Sequence, residues 1–94
     1  MSYVRVGTYE GDAEALERGF GDQIEAMRQL EGFERAYLGV DRESGKAVSL
    51  TFWESREALD SSAQRAQQAR EDATAPSDAS IVDVASFELV ITLE

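Results

Sequence analysis

The chain has 94 residues, neither Cys nor His, and a formal net charge of −10 from 19 acidic and 9 basic side chains. That length makes one domain, residues 1–94, whose core is marginal by itself. The missing Cys and His remove disulfide staples and the usual protein ligands of zinc, copper and haem, so no metal or cofactor is expected; the acidity repels phosphate backbones and anionic lipid, so neither nucleic acid nor membrane is an expected partner.

Residues 3–9 read as a strand, with Val4, Val6 and Thr8 on one face and Tyr3, Arg5, Gly7 and Tyr9 on the other. Asp12 is an N-cap, and residues 13–30 follow a helical period through Ala13, Leu16, Phe20, Ile24, Met27 and Leu30. Gly19 and Gly21 inside that helix predict a close approach of another backbone or a bend; Gly32 is the stop signal. Residues 33–41 and 47–53 are two more strands joined by a polar hairpin through Gly45. Ala36, Leu38 and Val40 share a face of one; Val48, Leu50 and Phe52 share a face of the other, opposite Ala47, Ser49, Thr51 and Trp53.

Ser55 caps a second helix with a thin stripe of small residues, Leu59, Ala63, Ala66 and then Ala69 or Ala73. Residues 74–80 are a loop containing the single Pro, and residues 81–93 are predicted as the longest strand. The order β-α-β-β-α-β is that of a ferredoxin-like α+β domain: a four-stranded antiparallel sheet, strand order 4-1-3-2, with two helices on one face.

One sheet face is then left without helices. If the aliphatic sets Val4/Val6, Ala36/Leu38/Val40, Val48/Leu50/Phe52 and Phe87/Leu89/Ile91 lie under the helices, the other face holds Tyr3, Arg5, Tyr9, Tyr37 and Trp53 among polar residues. Such a face is too apolar for water, and a homodimer pairing sheet on sheet is the expected solution. Arg5, Tyr37, Ser49, Thr51, Trp53 and Glu88 all fall on it and form the candidate substrate-binding set, with Arg5 paired to Glu88; a buried ion pair and plain dimer packing are the competing readings of the same residues. No segment approaches the roughly 20 apolar residues that cross a bilayer. The N-terminus reads as a strand and not as a signal peptide, and the Cys-free composition suits the cytoplasm.

Two stretches, Leu30-Glu31-Gly32-Phe33 and the run TFWESREAL at residues 51–59, joined by the hairpin through Gly45, resemble the antibiotic biosynthesis monooxygenase-type domain of the dimeric α/β-barrel superfamily. The resemblance implies a homodimer with a pocket between helices and sheet or within the barrel. It implies a cofactor-independent monooxygenase acting on a small aromatic, phenolic or quinol compound, with Arg5 supplying positive charge, Trp53 and Tyr37 a stacking surface, Ser49 or Thr51 hydrogen bonds, and, with no His as base, either Glu88 or a substrate already acidic enough to serve in its place. The alternative is a non-catalytic homodimeric module that binds a small ligand. The haem-degrading members of the family use a His and an Asn; this chain contains neither, so haem held through a His is not expected.

Overall fold

The helical and alternating periods lead to the architecture seen in the computed structural model, which describes residues 2–94. Strand β1 (Tyr3–Glu10) is followed by helix α1 (Ala13–Met27), strands β2 (Phe33–Asp41) and β3 (Lys46–Trp53), helices α2 (Arg56–Ser61) and α3 (Ala63–Thr74), a single 3-10 turn (Ala75–Ser77), and strand β4 (Ser80–Glu88). The sheet runs β2-β3-β1-β4, the expected order, and every pair is antiparallel. The helices pack on one of its faces, giving the ferredoxin-like α+β fold.

Local chemistry accounts for the helix starts. The Asp12 carboxylate accepts the Ala15 amide at 2.9 Å, and the Ser55 hydroxyl accepts the Ala58 amide at 3.1 Å, each satisfying a donor that has no partner inside its helix. The buried stripe of α1 is Leu16, Phe20 and Met27. At Gly19 the helix meets α3 so closely that a Cβ would collide with the Ala73 carbonyl oxygen, which is the close approach expected there; at Gly21 a Cβ would meet nothing.

Two elements differ from expectation. The second helix is two helices, broken at Ser62. The Ser61 hydroxyl donates to the Ala58 carbonyl and the Ser62 hydroxyl to that of Leu59, at 3.3 and 2.8 Å. Hydroxyls in this relation compete with the helical ladder and bend it. Strand β4 ends at Glu88 instead of running to residue 93, because its partner β1 begins at Tyr3, opposite Glu88. Among the described residues only the Leu89 amide finds a further acceptor, the Ser2 carbonyl at 2.9 Å; Val90, Ile91 and Leu93 beyond it are exposed.

The larger correction concerns which sheet face the helices cover. On β1 it is the Tyr3/Arg5/Gly7/Tyr9 face that lies beneath them, and on β3 the Ala47/Ser49/Thr51/Trp53 face. Tyr9 and Ala47 pack with Leu16, Phe20 and Ala73 in one core cluster, and Trp53 packs with Ala58 and Leu59 in the other. The pairing explains the choice on β2: Ala36 lies opposite Thr51, Leu38 opposite Ser49 and Val40 opposite Ala47, so these three do face the helices, as expected. The register then sends Val48, Leu50 and Phe52, with Val4 and Val6, to the open face. Tyr9 and Trp53 are almost fully buried and are among the largest side chains in the core. They supply the bulk that the small-residue stripe of α3 lacks, and the aliphatic side chains go to the other side.

Candidate functional site

The residues expected to face an inter-sheet space instead converge between helices and sheet. Arg5 projects from the middle of β1 toward the break between α2 and α3 and is 6% exposed. Its guanidinium donates to the Leu59 carbonyl at 2.6 Å and to the Ser62 hydroxyl at 3.2 Å, so the helix break that frees these groups also anchors the arginine. The indole of Trp53 lies 5.7 Å from the guanidinium carbon, within cation–π range. Burial lowers the Arg5 pKa from its ordinary value; the charge of Arg70 acts in the same direction and that of Asp60 opposes both.

Glu88 is not the partner of Arg5. It stands opposite Tyr3, two residues beyond the Arg5–Ser86 pair, on an exposed edge strand, and it forms no salt bridge with Arg5. The strand parity that suggested the pairing carries both residues toward the helix side, where the bend at Ser62 supplies closer acceptors.

A cavity of about 40 Å³ lies beside Arg5, walled by Phe20, Ile24 and Met27 of α1, Ala66 and Ala69 of α3, and Ala36 and Leu38 of β2. Its polar lining is Arg5, Arg70, Ser49, Thr51 and Gln23, and it contains no carboxylate. The Thr51 hydroxyl accepts the Trp53 indole N–H at 3.0 Å, which leaves its own proton free for an acceptor in the cavity. Ser49 shares a 2.7 Å hydrogen bond with the Tyr9 hydroxyl. Gly7 makes this bond possible, since a Cβ there would collide with the Tyr9 hydroxyl and crowd that of Ser49. Burial raises the Tyr9 pKa, partly offset by the bond to Ser49 and by the charge of Arg70. On the far side of Arg5 and Arg70, an outer cleft of about 370 Å³ opens between α2, α3 and β4; Tyr3, Arg56, Asp60 and Glu88 contribute to it.

Of the expected site residues, Arg5, Ser49 and Thr51 are thus brought together, and Glu88 lies at the outer cleft. Trp53 is fully buried and offers no stacking surface; it supports Arg5 and Thr51 from behind. Tyr37 borders the cavity through its place between Ala36 and Leu38, but its ring stands on the open face, 53% exposed and edge-on to Phe52. Sequence reasoning did not single out Arg70, Tyr9 or Ser62. Arg70 carried a signal, falling four residues after Ala66 and three before Ala73 on the small-residue stripe of α3. A broader groove of about 580 Å³ lies at the opposite end of the sheet, along Thr8, Glu10, Asp41, Lys46 and Val48, but it has no comparable convergence of buried polar groups. No group of acidic residues able to hold a metal ion occurs among the described residues, and no helix among them is long and apolar enough to cross a membrane.

The helix-covered antiparallel sheet agrees with the comparisons to known proteins. The profile of the antibiotic biosynthesis monooxygenase family matches residues 2–70, and the chain belongs to that family. Among solved structures, SnoaB, a cofactor-independent oxygenase from Streptomyces nogalater, superposes with a TM-score of 0.78 at 19% identity, over 98% of this chain and 96% of SnoaB. Rv0793 from Mycobacterium tuberculosis superposes with a TM-score of 0.71 at 15% identity over all of both chains, and protein SO0527 from Shewanella oneidensis with 0.66 at 20% identity over 92% and 86%. At these identities the likeness establishes the fold. No curated protein matches the sequence.

Proposed function

We propose that this protein is a cofactor-independent monooxygenase of a small phenolic or quinol compound, working as a homodimer in the cytoplasm. The observation that carries the reading is the convergence of two guanidinium groups, Arg5 and Arg70, and two hydroxyls, Ser49 and Thr51, on an apolar cavity without a carboxylate. Such a site favours an anion. An ordinary phenol has a pKa near 10, and two nearby cations with hydroxyl donors in a low-dielectric pocket bring it down toward neutrality. No acidic side chain lines the inner cavity, and Glu88 at the outer cleft takes the proton.

The phenolate then passes one electron to O2. The resulting radical pair joins carbon to oxygen, and the hydroperoxide loses water to leave a quinone. One phenol and one O2 give one quinone and one water, so all four electrons come from the substrate and no external reductant enters. Family membership supports this chemistry, as does the similarity to SnoaB in fold. As it stands the cavity of about 40 Å³ suits O2 or a water. A six-membered ring needs roughly 150 Å³. The ring therefore takes the space of the outer cleft, with its phenolic oxygen turned inward past Arg5 and Arg70, the two side chains that border both spaces.

The open sheet face supports the homodimer. Val6, Leu50 and Phe52 lie side by side there, with Phe87 exposed on the neighbouring strand, and a second copy of the same face covers them in a two-fold pair. The test is oxygen uptake with hydroquinones, naphthols and anthrone-type compounds and no added cofactor. One O2 consumed per quinone formed, lost in Arg5→Met, is the expected result. No uptake with any of these by a folded protein would overturn it.

A further inference from the structure

We infer that the substrate of this site is itself an acid: a hydroxyaryl carboxylate whose carboxylate is held by Arg70 while its phenolic oxygen faces Arg5, Ser49 and Thr51. The inference rests on the monooxygenase reading only in taking the ligand to be a phenol. It starts from charge pairing across the molecule.

The chain has 19 carboxylate side chains for 9 basic ones, so two basic groups that share one cavity with no carboxylate on its wall call for a reason. Arg28, Arg35, Arg42 and Arg56 each have such a partner within 4.0 Å. Arg5, Arg18, Lys46, Arg65 and Arg70 have none among the described residues, and of these five only Arg5 and Arg70 border the same cavity and the same outer cleft. Two guanidinium groups brought together with no carboxylate in salt-bridge contact raise the energy of the empty site, which Asp60 offsets only in part at Arg5, and an anion between them lowers it.

The two arginines differ in what holds them. Arg5 is fixed by the Leu59 carbonyl and the Ser62 hydroxyl, which leaves three of its five N–H donors without a protein acceptor. Arg70 makes no hydrogen bond or salt bridge through its side chain, is half-buried, and is free to form the two parallel bonds that a carboxylate accepts. Its charge acts on both Arg5 and Tyr9, so it lies near both.

The surroundings set which anion goes where. Arg5 sits beside the hydroxyls of Ser49 and Thr51, a donor set suited to one oxygen on an aromatic ring. Arg70 also borders the wider cleft, where a group projecting from the ring has room. There Asp60 is engaged by Arg56 at 3.6 Å, and Glu88 stands at the β4 edge, so a ligand carboxylate turned toward Arg70 has a cation free to receive it. An alkyl phosphate would have the charge but not the flat ring that the apolar side chains of the cleft, Tyr3, Leu59 and Val84, favour.

The experiment is calorimetric titration of the whole protein, with 4-hydroxybenzoate against 4-hydroxybenzamide, which share shape and phenol but differ in charge. The carboxylate is expected to bind at least about ten-fold more tightly, the size of a charge-assisted pair. Its advantage should shrink as salt is added. Arg70→Gln should abolish the preference, and Arg70→Lys should restore part of it; circular dichroism checks that both variants fold. Equal affinity for the two compounds, a preference that survives Arg70→Gln, or no heat from the carboxylate at millimolar concentration overturns the inference. Its failure is distinguishable from that of the monooxygenase reading. Oxygen uptake with neutral naphthols would leave that reading standing without the carboxylate, and tight carboxylate binding without oxygen uptake would leave the anion site standing without the oxygenase.

Discussion

The helix-covered face of the sheet presents Tyr9, Ala47, Ser49, Thr51 and Trp53, with Arg5 and Gly7 among them, whereas the open face presents Val6, Val48, Leu50, Phe52 and Phe87, with Val4 buried between its neighbours. By hydropathy alone the second set is the better core. Yet the first is the one that the helices bury, and it contains the most buried aromatic rings together with the polar groups of the site. The difference shows two ways of using a face. Large rings interleaved with Gly, Ala, Ser and Thr leave gaps, and the gaps become a cavity that hydroxyls and a guanidinium can border. Branched aliphatic side chains in a row leave few gaps and make a flat adhesive surface.

That contrast can be broken, or made sharper, by substitution. The largest effect belongs to Trp53, which is fully buried and also holds Arg5 and Thr51. Trp53→Ala should cost about 3–5 kcal/mol in urea denaturation; a change near zero would mean that the helix-side cluster is not a core. On the opposite face, Leu50→Lys should leave the helical circular dichroism intact while sedimentation shows monomers. If the unaltered protein already sediments as a monomer at micromolar concentration, the open face has no second copy on it.

Smaller effects probe the packing of the covered side. Gly19→Ala sets a Cβ against the Ala73 carbonyl and should destabilise the protein by roughly 1–3 kcal/mol, overpacking outweighing the gain in helix propensity. Tyr9→Phe removes the hydrogen bond to Ser49 and should cost about 1 kcal/mol at neutral pH. The same variant changes the alkaline limb of the stability curve. Because burial raises the folded-state pKa of Tyr9, the unfolded chain ionises first; the contribution is complete below the ordinary value near 10 and is lost as pH rises through the folded value. Denaturation midpoints measured from pH 8 upward should therefore fall less steeply in Tyr9→Phe, and equal slopes would mean that the phenol is not buried. The mildest change has the opposite sign. Gly21 has open space at its Cβ position, so Gly21→Ala should stabilise by up to about 1 kcal/mol.

The order of elements, the strand order, both helix caps and the hairpin were legible in the sequence because each follows from neighbours a few residues apart: the Asp12 and Ser55 side chains, the period of Leu16, Phe20 and Met27, the polar run ending at Gly45. Alternation also gave correctly which residues of one strand share a face. It did not give which face meets the helices, since a period of two is the same seen from either side. That was decided by the β2–β3 register, which puts Leu38 opposite Ser49, and by the need of a small-residue helix for bulky partners beneath it. The site followed the same division. Arg5, Ser49 and Thr51 were readable as one set from parity within the strands. Arg70 joins them from 65 residues further along the chain. The break at Ser62 that anchors Arg5 forms where two serine hydroxyls and a guanidinium from another element compete for helical carbonyls. Those contacts span the chain, and only the packed fold brings their partners together.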